Sequence, residues 1–98
     1  MKKHTKIYMA ALGYSDTDFM PSELSGAVGV DLHHIVDRDN RIENLMLLTR
    51  QEHLDCGEIK SKMVFLLMKH MSFLECNGVK FSYTWFNKQI EKYSIYEI

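Results

Sequence analysis

Four residues in the middle of the chain have the types and the arrangement for hydrolytic chemistry: the adjacent pair His33 and His34, then Asn44 and His53. A neutral imidazole is a good ligand for divalent transition metals and also accepts a proton near neutral pH. Two neighbouring imidazoles can therefore divide the work, one on a metal ion and one beside a metal-bound substrate. Phosphodiester hydrolysis asks for that pair of functions, a Lewis acid on the phosphate and leaving oxygen and a base that deprotonates water. Asn44 follows the polar run Asp37-Arg38-Asp39-Asn40-Arg41, and its side-chain amide can tie that loop down.

The surrounding pattern says which elements must hold these groups. Val28 to Ile35 alternates in part, with Val28, Val30, Leu32 and His34 on one face and Asp31, His33 and Ile35 on the other. Adjacent strand residues point to opposite sides. Either the strand is bulged or twisted at His33–His34, or the two histidines act from different sides of a shared centre. Leu45 to Leu48 is a continuous apolar run that fits a buried strand, and Thr49 is placed to cap a helix carrying His53 to Gly57. The order is thus strand, polar loop, strand, helix.

Flanking segments read as helical. Residues 4–12 have apolar positions at helical spacing and end at Gly13, while Tyr14 to Pro21 is turn chemistry and 22–29 a tight knuckle. Ile59, Met63, Leu66, Leu67, His70, Met71 and Leu74 form a wide apolar stripe on a long helix over 58–75. Asn77-Gly78 ends it, and Ser82 can cap a last helix bearing Trp85, Phe86, Ile90 and Tyr93. On this stripe His70 reads as a core histidine, the Met63, Met68 and Met71 cluster as filler, and the aromatics of 81–86 as packing residues rather than a base-stacking surface. His4 reads as a solvated residue near the terminus, and Asp37 and Asp39 as a solvated loop.

The segments Val30-Asp31-Leu32-His33-His34-Ile35, Ile42-Glu43-Asn44-Leu45-Met46-Leu47-Leu48 and Arg50-Gln51-Glu52-His53 together resemble the HNH endonuclease signature. The run Pro21 to Ala27 is similar to the start of small phage-type members. His34 to Asn44 spans ten residues and Asn44 to His53 nine, in keeping with the family pattern. The resemblance covers roughly residues 20–57. It implies an α+β fold with a ββα-metal core, an N-terminal helix and C-terminal helices packed on it. His34 would be the general base, Asn44 the residue pinning the loop, and His33 and His53 the ligands of one divalent ion, Mg²⁺, Mn²⁺ or similar. The expected products are a 5′-phosphate and a 3′-hydroxyl. The organisation implied is a single domain over 1–98: helix and turn over 1–21, finger over 22–57, helical tail over 58–98.

Two features depart from the family. Many members hold a structural zinc with two Cys-x-x-Cys pairs, and those positions here are Ser22, Ser25, Thr49 and Glu52. Hydroxyls are poor zinc ligands, so no structural zinc is expected and helix packing must supply the stability instead. The charge is the second departure. Gly29 to Gly57 holds six acids against three arginines, a balance of −3, which suits a polyanion poorly. Arg38, Arg41 and Arg50 are the cations within the finger that could meet DNA, with lysines outside it as a further supply. This balance leaves room for another reading, a catalytically silent module of the same descent that binds DNA or a protein partner.

Composition sets the outer limits. Ninety-eight residues with a 46% hydrophobic content allow one modest core, and a net charge of −1 gives no global pull on nucleic acid. Cys56 and Cys76 read as reduced thiols rather than a disulfide framework. Neither a membrane-length apolar run nor a secretory leader is evident, so a cytoplasmic protein is expected, in a host cell if phage-encoded.

Overall fold

The computed structural model describes residues 2–97 of the chain. Helix α1 spans Lys3–Leu12 and stops where expected: Gly13 takes a left-handed φ of 75°, and Tyr14 N–H reaches back to the Met9 carbonyl at 2.8 Å. The knuckle follows, with Pro21 bridged to Val28 and a turn at Gly26, whose φ of 79° favours glycine. Strand β1 (Asp31–His34) pairs antiparallel with β2 (Leu45–Leu48), and the register sets Asp31 opposite Leu48, His33 opposite Met46 and His34 opposite Leu45. The register is unbroken across these four residues, so His33 and His34 do face opposite sides. The bulged alternative is not what the chain adopts.

After β2, Thr49 and Glu52 form a reciprocal capping box, and α2 (Arg50–Glu52) widens at once into a π-helical turn over His53–Gly57. Such turns are rare, and they often mark functional positions. A short 3₁₀ turn at Lys60–Lys62 precedes α3 (Met63–Cys76), and Ser82 Oγ caps α4 (Tyr83–Tyr93) through Trp85 N–H. Among the described residues the fold is therefore α+β, a two-stranded antiparallel sheet with four α-helices. The long helix expected over 58–75 is broken at its start: Ile59 is extended and exposed, and regular helix begins only at Met63.

Strand β2 is apolar throughout because both its faces are covered. Met46 and Leu48 join Ile35, Cys56, Leu66, Leu67, Leu74 and Phe86 in the larger core, while Leu45 and Leu47 pack with Tyr8 of α1. The alternation of β1 is resolved in favour of the His33 and Ile35 face, which is buried. Val28 and Val30, expected to share a sheet face with Leu32, are 58% and 61% exposed. Their backbones are paired, Val28 with Pro21 and Val30 with Leu48, but their side chains lie beyond the covered part of the sheet.

Polar groups knit these layers together. Ser22, Ser25 and Thr49 converge on the Glu52 carboxylate: Ser22 Oγ donates to Oε1, Thr49 N–H donates to the same oxygen at 2.9 Å, and Glu52 N–H returns to Thr49 Oγ1. Burial opposes ionisation there, but hydrogen bonds from both serines and Thr49 hold the carboxyl below its usual range. Deeper in, Glu23 accepts from Tyr8 Oη at 2.7 Å and meets His70 Nδ1 at 2.6 Å, while His70 Nε2 donates to the Ile42 carbonyl at 2.7 Å. His70, read from the sequence as a core histidine, is fully buried with both ring nitrogens bonded.

Candidate metal centre and catalytic cleft

His33 sits on the buried face of β1, and His53 at the first residue of the π turn. Twenty residues apart in sequence, their rings lie 4.8 Å apart between centroids. Glu58, just beyond the turn, completes a group of three whose ligand atoms all lie within 4.8 Å of one another, a set that can hold a metal ion. His33 Nε2 is buried and has no hydrogen-bond partner among the described residues. Burial foremost, and then the neighbouring His53, lowers the His33 pKa to about 4, so the ring stays neutral and keeps a lone pair for a ligand.

Two further residues shape this centre. Asp31, on the same face of β1 as His33, accepts from His53 Nδ1 at 3.1 Å, which fixes the ring and turns Nε2 toward Glu58, 4.0 Å away. A carboxylate behind a ligating imidazole is the usual means of orienting it. Asp31 is itself gripped by both Nε and Nη2 of Arg50, at 2.6 and 2.9 Å, and this holds its carboxyl below the ordinary range. Gly57 supplies space: a Cβ there would collide with the His53 ring, while it would only touch His33 Cε1 in ordinary contact at 3.5 Å.

His34 faces the other way. Its ring lies 5.1 Å from that of His4, which is half-buried, and its Nε2 meets Asn40 Oδ1 at 2.9 Å. With that oxygen as acceptor, Nε2 carries the hydrogen and Nδ1 retains its lone pair. Asn44 is fully buried and saturates the loop from three directions. Its Oδ1 accepts from Val36 N–H, and its Nδ2 donates to the carbonyls of Asp37 and Asp39, each at 2.9 Å.

His33, His34, His53, Gly57 and Glu58 border one cleft of about 490 Å³. Of the three arginines expected to meet DNA, only Arg38 borders it. Arg50 is committed to Asp31, and Arg41 pairs with Asp39 at 2.9 Å while stacking on Trp85 at 5.6 Å. Asp31 and Glu58 were missed from the sequence. Asp31 had a signal, two residues before His33 on the same strand face; Glu58 had none, because the turn that presents it is not an ordinary helix. Comparison of the chain with protein-family models, curated proteins and solved structures found no match. Among the described residues no helix is long and apolar enough to cross a membrane.

Proposed function

We propose that this protein is a metal-dependent endonuclease with an HNH-like, ββα-metal core, cutting phosphodiester bonds in DNA. The observation that carries the reading is the convergence of His33 and His53 from strand and helix on a buried, unpartnered Nε2, with Gly57 leaving the space open. An orphaned buried nitrogen costs roughly 1–3 kcal/mol unless something meets it. Two imidazoles with a carboxylate suit a divalent ion of the Mn²⁺ or Zn²⁺ type, and Mg²⁺ when water completes its shell.

Within this reading His33, His53 and Glu58 hold one divalent ion, and Asp31 keeps His53 aimed. The ion, when bound, supplies Lewis-acid stabilisation of the phosphate and the leaving oxygen. His34, held through Nε2 by Asn40, takes the proton of the attacking water at Nδ1. Asn44 fixes the loop that carries Asn40, and so fixes the base. Attack with departure of the 3′ oxygen leaves a 5′-phosphate and a 3′-hydroxyl.

A plasmid-nicking assay with Mg²⁺ or Mn²⁺ tests the reading. Wild-type protein is expected to nick, and His34→Ala to lose at least about a hundredfold in rate while still binding metal. Equal cleavage by wild type and His34→Ala removes the nuclease reading. Function that survives in His34→Ala would instead favour a binding module.

A further inference from the structure

The cleft has a second wall of different chemistry. Tyr93, the last residue of α4, borders it, as does Lys60 in the turn ahead of α3. The Lys60 ammonium lies 5.0 Å from the centre of the Tyr96 ring, and that of Lys92 lies 5.4 Å from the Tyr93 ring. The two tyrosine rings are 6.1 Å apart and tilted by 33°. Arg38 enters from the loop after β1. Neither Arg38 nor Lys60 makes an ion pair among the described residues, in contrast to Arg41 and Arg50.

Asp37 and Glu58 also border the cleft, so its two cations face two acids. The Coulombic pull on a polyanion is therefore weak, and duplex DNA, which offers mainly phosphates to such a surface, gains little. Stacking decides the matter instead. Aromatic rings beside cations hold unpaired bases, whose faces are free, whereas a paired base must first be flipped out at a penalty of a few kcal/mol.

We propose that this cleft takes unpaired nucleic acid, a single strand or a frayed end, in preference to duplex, with Arg38 and Lys60 on phosphates and Tyr93 against a base. The inference rests on the nuclease reading of the same cleft, but its test is a binding measurement that needs no turnover. The 98-residue chain in chelator is titrated into a labelled twelve-nucleotide oligothymidine and into a labelled twelve-base-pair duplex, and anisotropy is followed over a range of salt.

The single strand is expected to bind at least about tenfold more tightly. Tyr93→Leu, which keeps apolar bulk and removes the aromatic face, is expected to weaken single-strand binding about fivefold or more and leave duplex binding unchanged. Lys60→Gln and Arg38→Gln are each expected to flatten the log–log salt dependence by about 0.7, and Lys88→Gln, on the exposed side of α4, to leave it unchanged. Thermal melts establish that each variant is folded, and Tyr93→Trp, which restores an aromatic face, is expected to bind like wild type. Equal or tighter duplex binding, a folded Tyr93→Leu that binds like wild type, or a Lys60→Gln indistinguishable from Lys88→Gln overturns the proposal. Cleavage by wild type with no strand preference defeats this inference and leaves the nuclease reading standing. Single-strand binding that follows Tyr93 without any metal-dependent cutting does the reverse.

Discussion

His33 and Gly57 show how single atoms decide this site. His33 Nε2 is buried in the wall of the cleft with no hydrogen-bond partner among the described residues. His33→Leu is expected to raise the stability of the metal-free form by roughly 1–3 kcal/mol and to abolish metal binding. Chemical denaturation with and without Mn²⁺ checks both halves, and a destabilised His33→Leu would show that the nitrogen is satisfied in solution. Gly57 gives a sign test. In the absence of a clash, alanine in a helical turn is more stable than glycine by about 0.5–1 kcal/mol. Here the added Cβ would strike the His53 ring. Gly57→Ala is therefore expected to lower Mn²⁺ affinity at least about tenfold in calorimetric titration with the fold retained. Unaltered affinity would mean that His53 reaches the ion from another rotamer.

At the scale of elements, the loop between β1 and β2 depends on one side chain. Asn44 both accepts and donates, so its two ends are not interchangeable. Asn44→Asp keeps the shape but turns a donor toward two carbonyls into a buried, negatively charged acceptor. It is expected to destabilise by at least as much as Asn44→Ala, roughly 3 kcal/mol, and to speed hydrogen exchange at the Val36 amide. A milder Asn44→Asp in urea melts would mean that the amide's two donor bonds contribute little. Much of this level was legible in the sequence. A capping threonine, a helix-ending glycine and an all-apolar strand each act through neighbours a few residues away, so Thr49, Gly13 and Leu45 to Leu48 showed their roles. What stayed hidden depends on distant partners. Arg50 and Asp31 are nineteen residues apart, and only the folded hairpin shows that this arginine pairs with the carboxylate that also meets His53. The π turn that brings Glu58 to the site has no local sequence signal.

At the scale of the molecule, the two-stranded sheet and the segment before it must be joined to the flanking helices without a cysteine at Ser22, Ser25, Thr49 or Glu52. Packing supplies part of the join, since Ile35, Met46 and Leu48 share one core with α3 and Phe86 of α4. Glu23 supplies a second part. From the knuckle it reaches Tyr8 on α1, the Leu47 amide on β2 and His70 on α3, and His70 passes the connection on to the Ile42 carbonyl. The sequence allowed His70 to be placed in the core, but its partner lies 47 residues away and could not be read from spacing. Both side chains are fully buried, so neither can fall back on water when the other is removed. Glu23→Leu and His70→Leu are each expected to destabilise by about 3–5 kcal/mol, the range for stranding one member of a buried charged or strongly hydrogen-bonded pair. The double variant removes both polar groups together; the Ile42 carbonyl keeps the Leu45 N–H, and only the Tyr8 hydroxyl and the Leu47 amide lose a partner in Glu23. Its loss is expected to be well below the sum of the single losses, and adding Tyr8→Phe should recover part of the remainder. A double-mutant cycle by urea denaturation measures this coupling. Additive single effects would mean that Glu23 and His70 act as separate packing residues, and the four-way join would then have to come from apolar contact alone.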